Sequence, residues 1–396
     1  MNLCRSGRAG SFVSLFCTFL FFCCPVSWAA VTTTPLNLVP NTSLRNELQH
    51  AITKGAGWLL QSQNTNGWWS TPDHPAITSL ALIALSSQKD RLSDPRTKKA
   101  IQLGYKFLKS CEQPNGGIYQ KELPSYNTAI SLMALVAGQR AEDQGAIVNA
   151  RKFLIGLQAQ YNVTGGTNNT FSGGMGYGNG DKTPDLSNTL VVLEALRFSK
   201  RALADKNIPA GGDLDWAAAV AFVQKCQNLP SHNTEPWVSG DPQNSGGFIY
   251  TPGISKAGET NLANGRVALR SYGSMTYAGL ISYIYADLKP SDPRVTAAFN
   301  WLKDNYTLTE NPGMGAQGLY YYYHLMTKAL TLHGADFFKT RDGRTIHWRE
   351  ETSLHLINLQ HPDGSWANEN GRWFEKDAVL VTSYSLMALE MIMPKL

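Results

Sequence analysis

The chain has 396 residues, 43% hydrophobic and only 16% charged, so a large buried core is within its reach. Its formal charge of +5, with no basic run and no stripe of stacking aromatics, argues against nucleic acid as a partner. Six cysteines are too few and too unevenly placed for a disulfide framework: Cys4, Cys17, Cys23 and Cys24 crowd the start, which leaves Cys111 and Cys226.

Residues 1–29 read as a signal peptide. Arg5 and Arg8 form a basic start, 11–28 is apolar, and Ser27-Trp28-Ala29 places small residues where a signal peptidase cuts. Cleavage after Ala29 removes two arginines and leaves +3. The alternative is an uncleaved anchor, at the low edge of the length that spans a membrane. No later segment is long and apolar enough to cross one. A cleaved product is expected in the periplasm or outside the cell, with residues 30–396 as one domain.

That domain repeats one unit six times: an amphipathic outer helix, a Gly-rich turn with an aromatic, and a more apolar inner helix. The first unit has Gly55, Trp58, Leu59 and Leu60 on its outer helix, the turn 63–69 (QNTNGWW), and the inner helix 76–87. The second reads Tyr105–Leu108, 113–119 (QPNGGIY) and 126–137. The third has Lys152, Phe153 and Leu154, the turn 173–177 and the inner helix 185–196. The fourth has Ala221, Phe222 and Val223, then 246–248 and 271–288. The fifth has Trp301 and Leu302, 311–315 and 318–332; the sixth has 354–360, 361–366 (HPDGSW) and 377–392. A hydroxyl recurs on the inner helices at Thr78, Thr128, Thr189, Thr276, Tyr323 and Thr382. The long interval between Thr189 and Thr276 exposes an insertion of roughly 30 residues within 230–270, a loop by its Gly, Pro, Ser and Asn content.

Outer helices keep a polar face, as at Arg96, Lys98 and Lys99, while inner helices are apolar nearly all round and need burial on most sides. Helices joined by short turns pack antiparallel, and six such pairs close into a double ring. The expected fold is all-α, an α/α toroid of six outer/inner helix hairpins, with no period-2 pattern long enough for a sheet.

The turns 63–69 and 360–366 both read Gln-x-x-x-Gly-x-Trp, and 113–119 differs only in ending on Tyr. This motif resembles the repeat of the squalene cyclase and protein prenyltransferase superfamily, across essentially the whole mature chain. The resemblance implies the toroid, but the superfamily's chemistry does not carry over. Squalene-type cyclases protonate an alkene with the middle Asp of Asp-x-Asp-Asp; here the stretch is Asp185-Leu186-Ser187-Asn188, with Ser187 at the acid position. Only Asp185 remains, and a helix cap is its expected role. The zinc ligands of protein prenyltransferases fall on Arg270, Tyr272 and Val381, so neither a zinc site nor any other cofactor is expected. The Gly-Cys-Gly-Glu-Gln of thioester domains that share the toroid is absent.

In such a ring the inner-helix N-termini converge on one mouth, where unpaired amides and helix dipoles attract anions. The residues there have chemistry to offer. Arg270, Tyr272 and His324 are the candidate catalytic group, and Tyr126, Asn188, Tyr277, Tyr323, Trp373 and Asp377 the candidate substrate-binding group. Since each helical step turns about 100°, only one or two of Tyr320–Tyr323 face the hole together with His324. Asp377 is an alternative structural partner for Arg270. Two functions fit: a cavity for a small amphipathic or anionic ligand, glycan or isoprenoid, with Tyr/His/Arg chemistry like that of terpenoid cyclases or toroidal polysaccharide lyases; or a non-catalytic toroid that contacts a protein partner through the 230–270 loop.

Overall fold

The computed structural model describes residues 41–88, 92–161, 170–178, 183–262 and 265–396. The described residues fall in one compact unit; residues 1–40, and with them the expected signal peptide, lie outside the described residues. Among the described residues, twelve α-helices alternate between two layers. The inner ones are α2 (Pro75–Ser86), α4 (Pro124–Gly138), α6 (Leu186–Ala204), α8 (Gly273–Tyr285), α10 (Leu319–His333) and α12 (Ala378–Ile392). The outer ones are α1 (Thr42–Gln61), α3 (Pro95–Ser110), α5 (Gln144–Tyr161), α7 (Trp216–Lys225), α9 (Pro293–Asp304) and α11 (Trp348–Leu359). Each inner helix packs on the next, and α12 packs back on α2, which closes the ring. The fold is the expected all-α toroid.

The sequence pattern ends the third inner helix at Leu196, but α6 runs eight residues further, to Ala204. Polar residues hold that extension. The buried Arg151 of α5 donates to Leu196 O at 2.5 Å and to Ser199 Oγ at 2.8 Å, while Arg197 pairs with Asp287 and Lys200 with Asp213. Within the 230–270 insertion, β1 (Glu259–Asn261) pairs antiparallel with β2 (Val267–Leu269). A second hairpin joins β3 (Phe338–Lys339) to β4 (Thr345–Ile346). Asparagines tie the insertion down: Asn228, just before it, donates to Leu269 O and Ser271 Oγ, and Asn233, within it, to Lys225 O and Gln227 O.

The turns are the mortar between units. Gln63 Nε2 donates to Gly67 O in its own turn and to Ala100 O in the next outer helix, and Gln360 does the same to Gly364 O and, across the ring closure, Ala51 O. Trp69 and Trp366 donate their indole N–H to the carbonyl of Leu59 and Leu356, each in its own outer helix. Gly67 and Gly173 lie at positive φ, and a Cβ there would stand 2.3 Å from Leu103 O and 2.0 Å from Ala218 O, in the backbone of the next outer helix. The recurrent threonine is a strut: Thr78, Thr128, Thr189, Thr276 and Thr382 each accept a buried turn amide through Oγ1, at 2.9–3.1 Å. Tyr323, at the same place in the fifth unit, instead donates to Leu308 O. Cys111 and Cys226 are both free and buried.

Candidate functional site

The six inner helices start at one mouth, and each start is closed by the following unit. Ala76 N donates to Asn127 Oδ1, Ser125 N to Tyr177 O, Leu186 N to Tyr250 O, Gly273 N to Pro312 O, and Tyr321 N to Glu375 Oε1. Asp377 caps α12 and also meets Ser70 Oγ of the first unit. The anion-attracting mouth expected from free helix ends is therefore corrected: three carboxylates, Asp185, Glu375 and Asp377, already occupy the cap positions. Of the seven described non-glycine residues with left-handed backbone, four, Ser70, Leu123, Trp373 and Phe374, lie at the mouth, while Gln139, Asn207 and Asp287 lie past the far ends of α4, α6 and α8. Such strain costs about 1–3 kcal/mol per residue and gathers at functional sites.

Asp185 is the centre of this mouth. It caps α6 as expected, accepting from Asn188 N at 2.9 Å and Asn188 Nδ2 at 2.7 Å. Burial pushes its carboxyl up to about 6, against the opposing pull of hydrogen bonds from Asn188 and Tyr250. Tyr177 is hydrogen-bonded to Tyr250, and burial and the Asp185 charge push its phenol up to about 12. Both rings are only half-buried, and Lys256 Nζ sits 4.6 Å from the centroid of Tyr250. A carboxylate near 6 is a poor acid towards an alkene but well placed as a hydrogen-bond acceptor or general base near neutral pH. Hydrolysis between two carboxylates would need a partner for it. Glu194 is bonded to Lys328, while Glu375 and Asp377 are used as caps.

Below the mouth, side chains meet across the hole. Ser187 of α6 and Tyr321 of α10 are 3.2 Å apart at their hydroxyls, and Tyr126 of α4 and Tyr384 of α12 are 3.4 Å apart. The Tyr321 and Tyr384 rings, 5.9 Å apart, link the two pairs into one bar. Deeper, Lys328 donates to both oxygens of Glu194 at 2.8 Å, and Tyr285 donates to the same carboxylate.

The expected site residues divide accordingly. Tyr126 lies in the bar, Asn188 supports Asp185, Asp377 is a cap, and Trp373 stands 42% exposed on the rim, packed over Gly318. His324 is buried behind the bar, its ring stacked on Tyr384. Tyr272, the buried residue before α8, neighbours Asp185, Tyr321 and Tyr177. The structure does not gather Arg270 with Tyr272 and His324. Arg270 is exposed just past β2, its backbone paired with Gly258 O and Ser255 Oγ, and Asp377 bonds Ser70 rather than this arginine. Tyr277 and Tyr323 also leave the site: Tyr277 packs on Tyr322, and Tyr323 reaches His355 of the outer ring at 2.9 Å. Of Tyr320–Tyr323, Tyr321 alone meets groups across the hole, because helix rotation sends its neighbours to the outer layer.

Sequence reading missed Tyr177, Tyr250 and Tyr384, held Tyr321 only as one of a run of four from which it chose Tyr323, and gave Asp185 only its capping role. It also passed over Glu194 and Lys328, whose signal was legible: a lone charge within each of the apolar stretches 190–196 and 325–330. Among the described residues no group of His, Cys, Asp or Glu is placed to hold a metal ion, and no helix is long and apolar enough to cross a membrane.

No family model matches the chain, and no curated protein does. Solved structures do. The type II terpene cyclase MstE from Scytonema, in complex with its substrate geranylgeranyl dihydroxybenzoate, matches with a TM-score of 0.52 at 14% identity, over 90% of this chain and 100% of that one. An inactive variant of an α-1,6-mannanase from Salegentibacter, in complex with α-1,6-mannotriose, matches at 0.55 and 10% identity, over 88% and 99%. A D-mannose isomerase matches at 0.54 and 11% identity, over 89% and 98%. At these identities the likeness is one of fold, and it agrees with the toroid that the repeated turns imply.

Proposed function

We propose that this protein is a ligand-binding toroid whose mouth takes a small neutral amphipathic molecule, with Asp185 as its polar anchor. The supporting observation is a buried carboxylate beside half-buried tyrosines, Tyr177 and Tyr250, at the mouth where four of the seven left-handed non-glycine residues lie. Tyrosine faces suit a ring or isoprenoid unit and Asp185 suits a hydroxyl; the capping carboxylates disfavour an anion. Toroids of similar fold include proteins solved with a terpenoid substrate and with a mannotriose. In an enzyme of this kind Asp185 would serve as the base, Tyr250 and Asn188 holding its ionised form. The chain is further proposed to be a secreted one, cut after Ala29, which N-terminal sequencing of protein from its host checks; an intact Met1 overturns that.

The test is a titration of the purified protein with monosaccharides and with isoprenoid alcohols, followed by calorimetry. Asp185→Asn keeps a capping side chain and removes the charge, so it should bind at least about tenfold more weakly with the fold unchanged. Equal binding by the two proteins overturns the assignment. A protein partner at the insertion is a second reading, favoured by a groove of about 370 Å³ between Trp237 and the exposed Val267. Its signature is an interaction lost on shortening the β1–β2 hairpin but kept by Asp185→Asn.

A further inference from the structure

The hole is bridged at two heights by helices that are not neighbours. α6 and α10 are separated in the ring by α8, and α4 and α12 by α2, so Ser187–Tyr321, Tyr126–Tyr384 and Glu194–Lys328 all span the interior. His324 sits on α10 between the two levels, about one turn below Tyr321 and one above Lys328. It is 4% exposed, its ring stacks on Tyr384 at 5.3 Å, and its Nδ1 is buried with no hydrogen-bond partner. On α4, Ile130 and Met133 follow Tyr126 down the same helix face, and they stay half-buried where the other apolar residues of that stretch are buried. The interior below the bar thus has free apolar surface on α4 and, across from it on α10, a buried ring nitrogen without a partner.

We infer that the space between the tyrosine bar and the Glu194–Lys328 pair is an inner subsite for a sugar-like, polyhydroxylated ligand, in which His324 exchanges hydrogen bonds with a hydroxyl. This rests on the reading of the mouth as the ligand's entrance and adds the class of what enters. Burial and the nearby Lys328 charge hold His324 well below the usual imidazole range, so the ring is neutral. A neutral imidazole has one donor and one acceptor, as a hydroxyl does, whereas a hydrocarbon chain would leave Nδ1 as unpaired as it now stands. The hydroxyls of Tyr126 and Tyr384 on the bar and the ion pair beneath add polar groups that an isoprenoid could not use. Ile130 and Met133 offer the flat apolar contact that the face of a sugar ring takes.

The experiment follows the ¹⁵N resonances of His324 in the wild-type protein during titration with D-mannose, with farnesol as the hydrocarbon probe. Calorimetry of His324→Phe and Asp185→Asn runs in parallel. His324→Phe keeps the stack on Tyr384 and removes both nitrogens. The expected result is a shift of the His324 resonances on adding D-mannose and binding at least about tenfold weaker in both variants. D-mannose that binds without moving His324 overturns the inner subsite, whether or not His324→Phe folds. Loss in Asp185→Asn with full binding in His324→Phe also removes the subsite and leaves the mouth reading intact. Binding of farnesol but not D-mannose overturns the polyol class, and failure of the wild type to bind either probe overturns both readings.

Discussion

The turns of this ring and its inner faces are built on opposite plans. At the turns one device recurs in four of the six units: a Gln bonding two backbones, a Gly against the next outer helix, and a Thr strut beneath. On the inner faces nothing repeats. Ser187 meets Tyr321, Tyr126 meets Tyr384, and Glu194 meets Lys328, each pair unlike the others and each spanning the hole. The fifth unit shows the exchange directly, for it lacks the Thr strut and carries Tyr321, His324 and Lys328. Repetition marks what every unit needs in order to pack, and function is to be sought where repetition stops.

The sharpest break of this contrast is at a turn. In Gly173→Ala the new Cβ would stand 2.0 Å from Ala218 O at a φ of 85°, and neither backbone can give way cheaply. A loss of about 4 kcal/mol or more is expected, read as collapse of the urea midpoint or as insoluble protein. A near-wild-type midpoint would mean that the turns are not the rigid part. On the inner face, Lys328→Met leaves Glu194 buried with only Tyr285 for company, a loss of about 3–5 kcal/mol. Replacing both partners with apolar residues should return most of that. If the double variant is no more stable than the single, the ion pair is needed for more than its own neutrality.

The third test separates Asp185 as a cap from Asp185 as a functional carboxylate. Its folded value of about 6 lies above its ordinary 3.8, so the folded state holds the proton more tightly than the unfolded one. Stability from this group is then present at low pH and is lost as pH rises from about 4 to about 6, in total about 3 kcal/mol. Asp185→Asn should flatten that part of the pH–stability curve and, relative to wild type, stabilise the protein at pH 7. Glu390, raised to about 8 by burial, contributes in the same direction over a higher window, which is why the difference between variant and wild type is the quantity to measure.

The two plans also explain what could be read in advance. Gln63, Gln113 and Gln360 showed themselves because their glycines follow within a few residues. Gln158 and Gln227 make the same pair of bonds as Gln63 and Gln360, to Gly173 O and Asp215 O and to Gly246 O and Arg294 O, but inserted chain separates each from its glycine by 15 and 19 residues. The all-α ring and the inner-helix positions followed from periodicity. The site did not, because which tyrosine faces the hole depends on helix rotation within the closed ring, and Tyr277 and Tyr323 looked no different from Tyr126 and Tyr321. Arg270 differs for a related reason: the insertion's composition reads only as a loop, whereas its β1–β2 hairpin holds that residue out in solvent.

The smallest expected effect discriminates the two plans most cleanly. Thr78→Val and Thr276→Val are nearly isosteric, and each leaves one buried amide, of Trp69 or Phe248, without its acceptor. Each should cost about 1–3 kcal/mol in urea unfolding. The two struts belong to the first and fourth units, on opposite sides of the ring, with no shared partner, so the double variant should lose the sum to within about 0.5 kcal/mol. Tyr126→Phe and Tyr321→Phe should behave differently. Their own losses are small because both rings stay, but the two hydroxyls belong to one bar through Tyr384. Coupling of at least about 0.5 kcal/mol is therefore expected between them, in stability or in ligand binding. Additive tyrosines would show the bar to be two separate contacts, and coupled threonines would show the turns to communicate round the ring. Either result removes the division between a repeated frame and a singular interior.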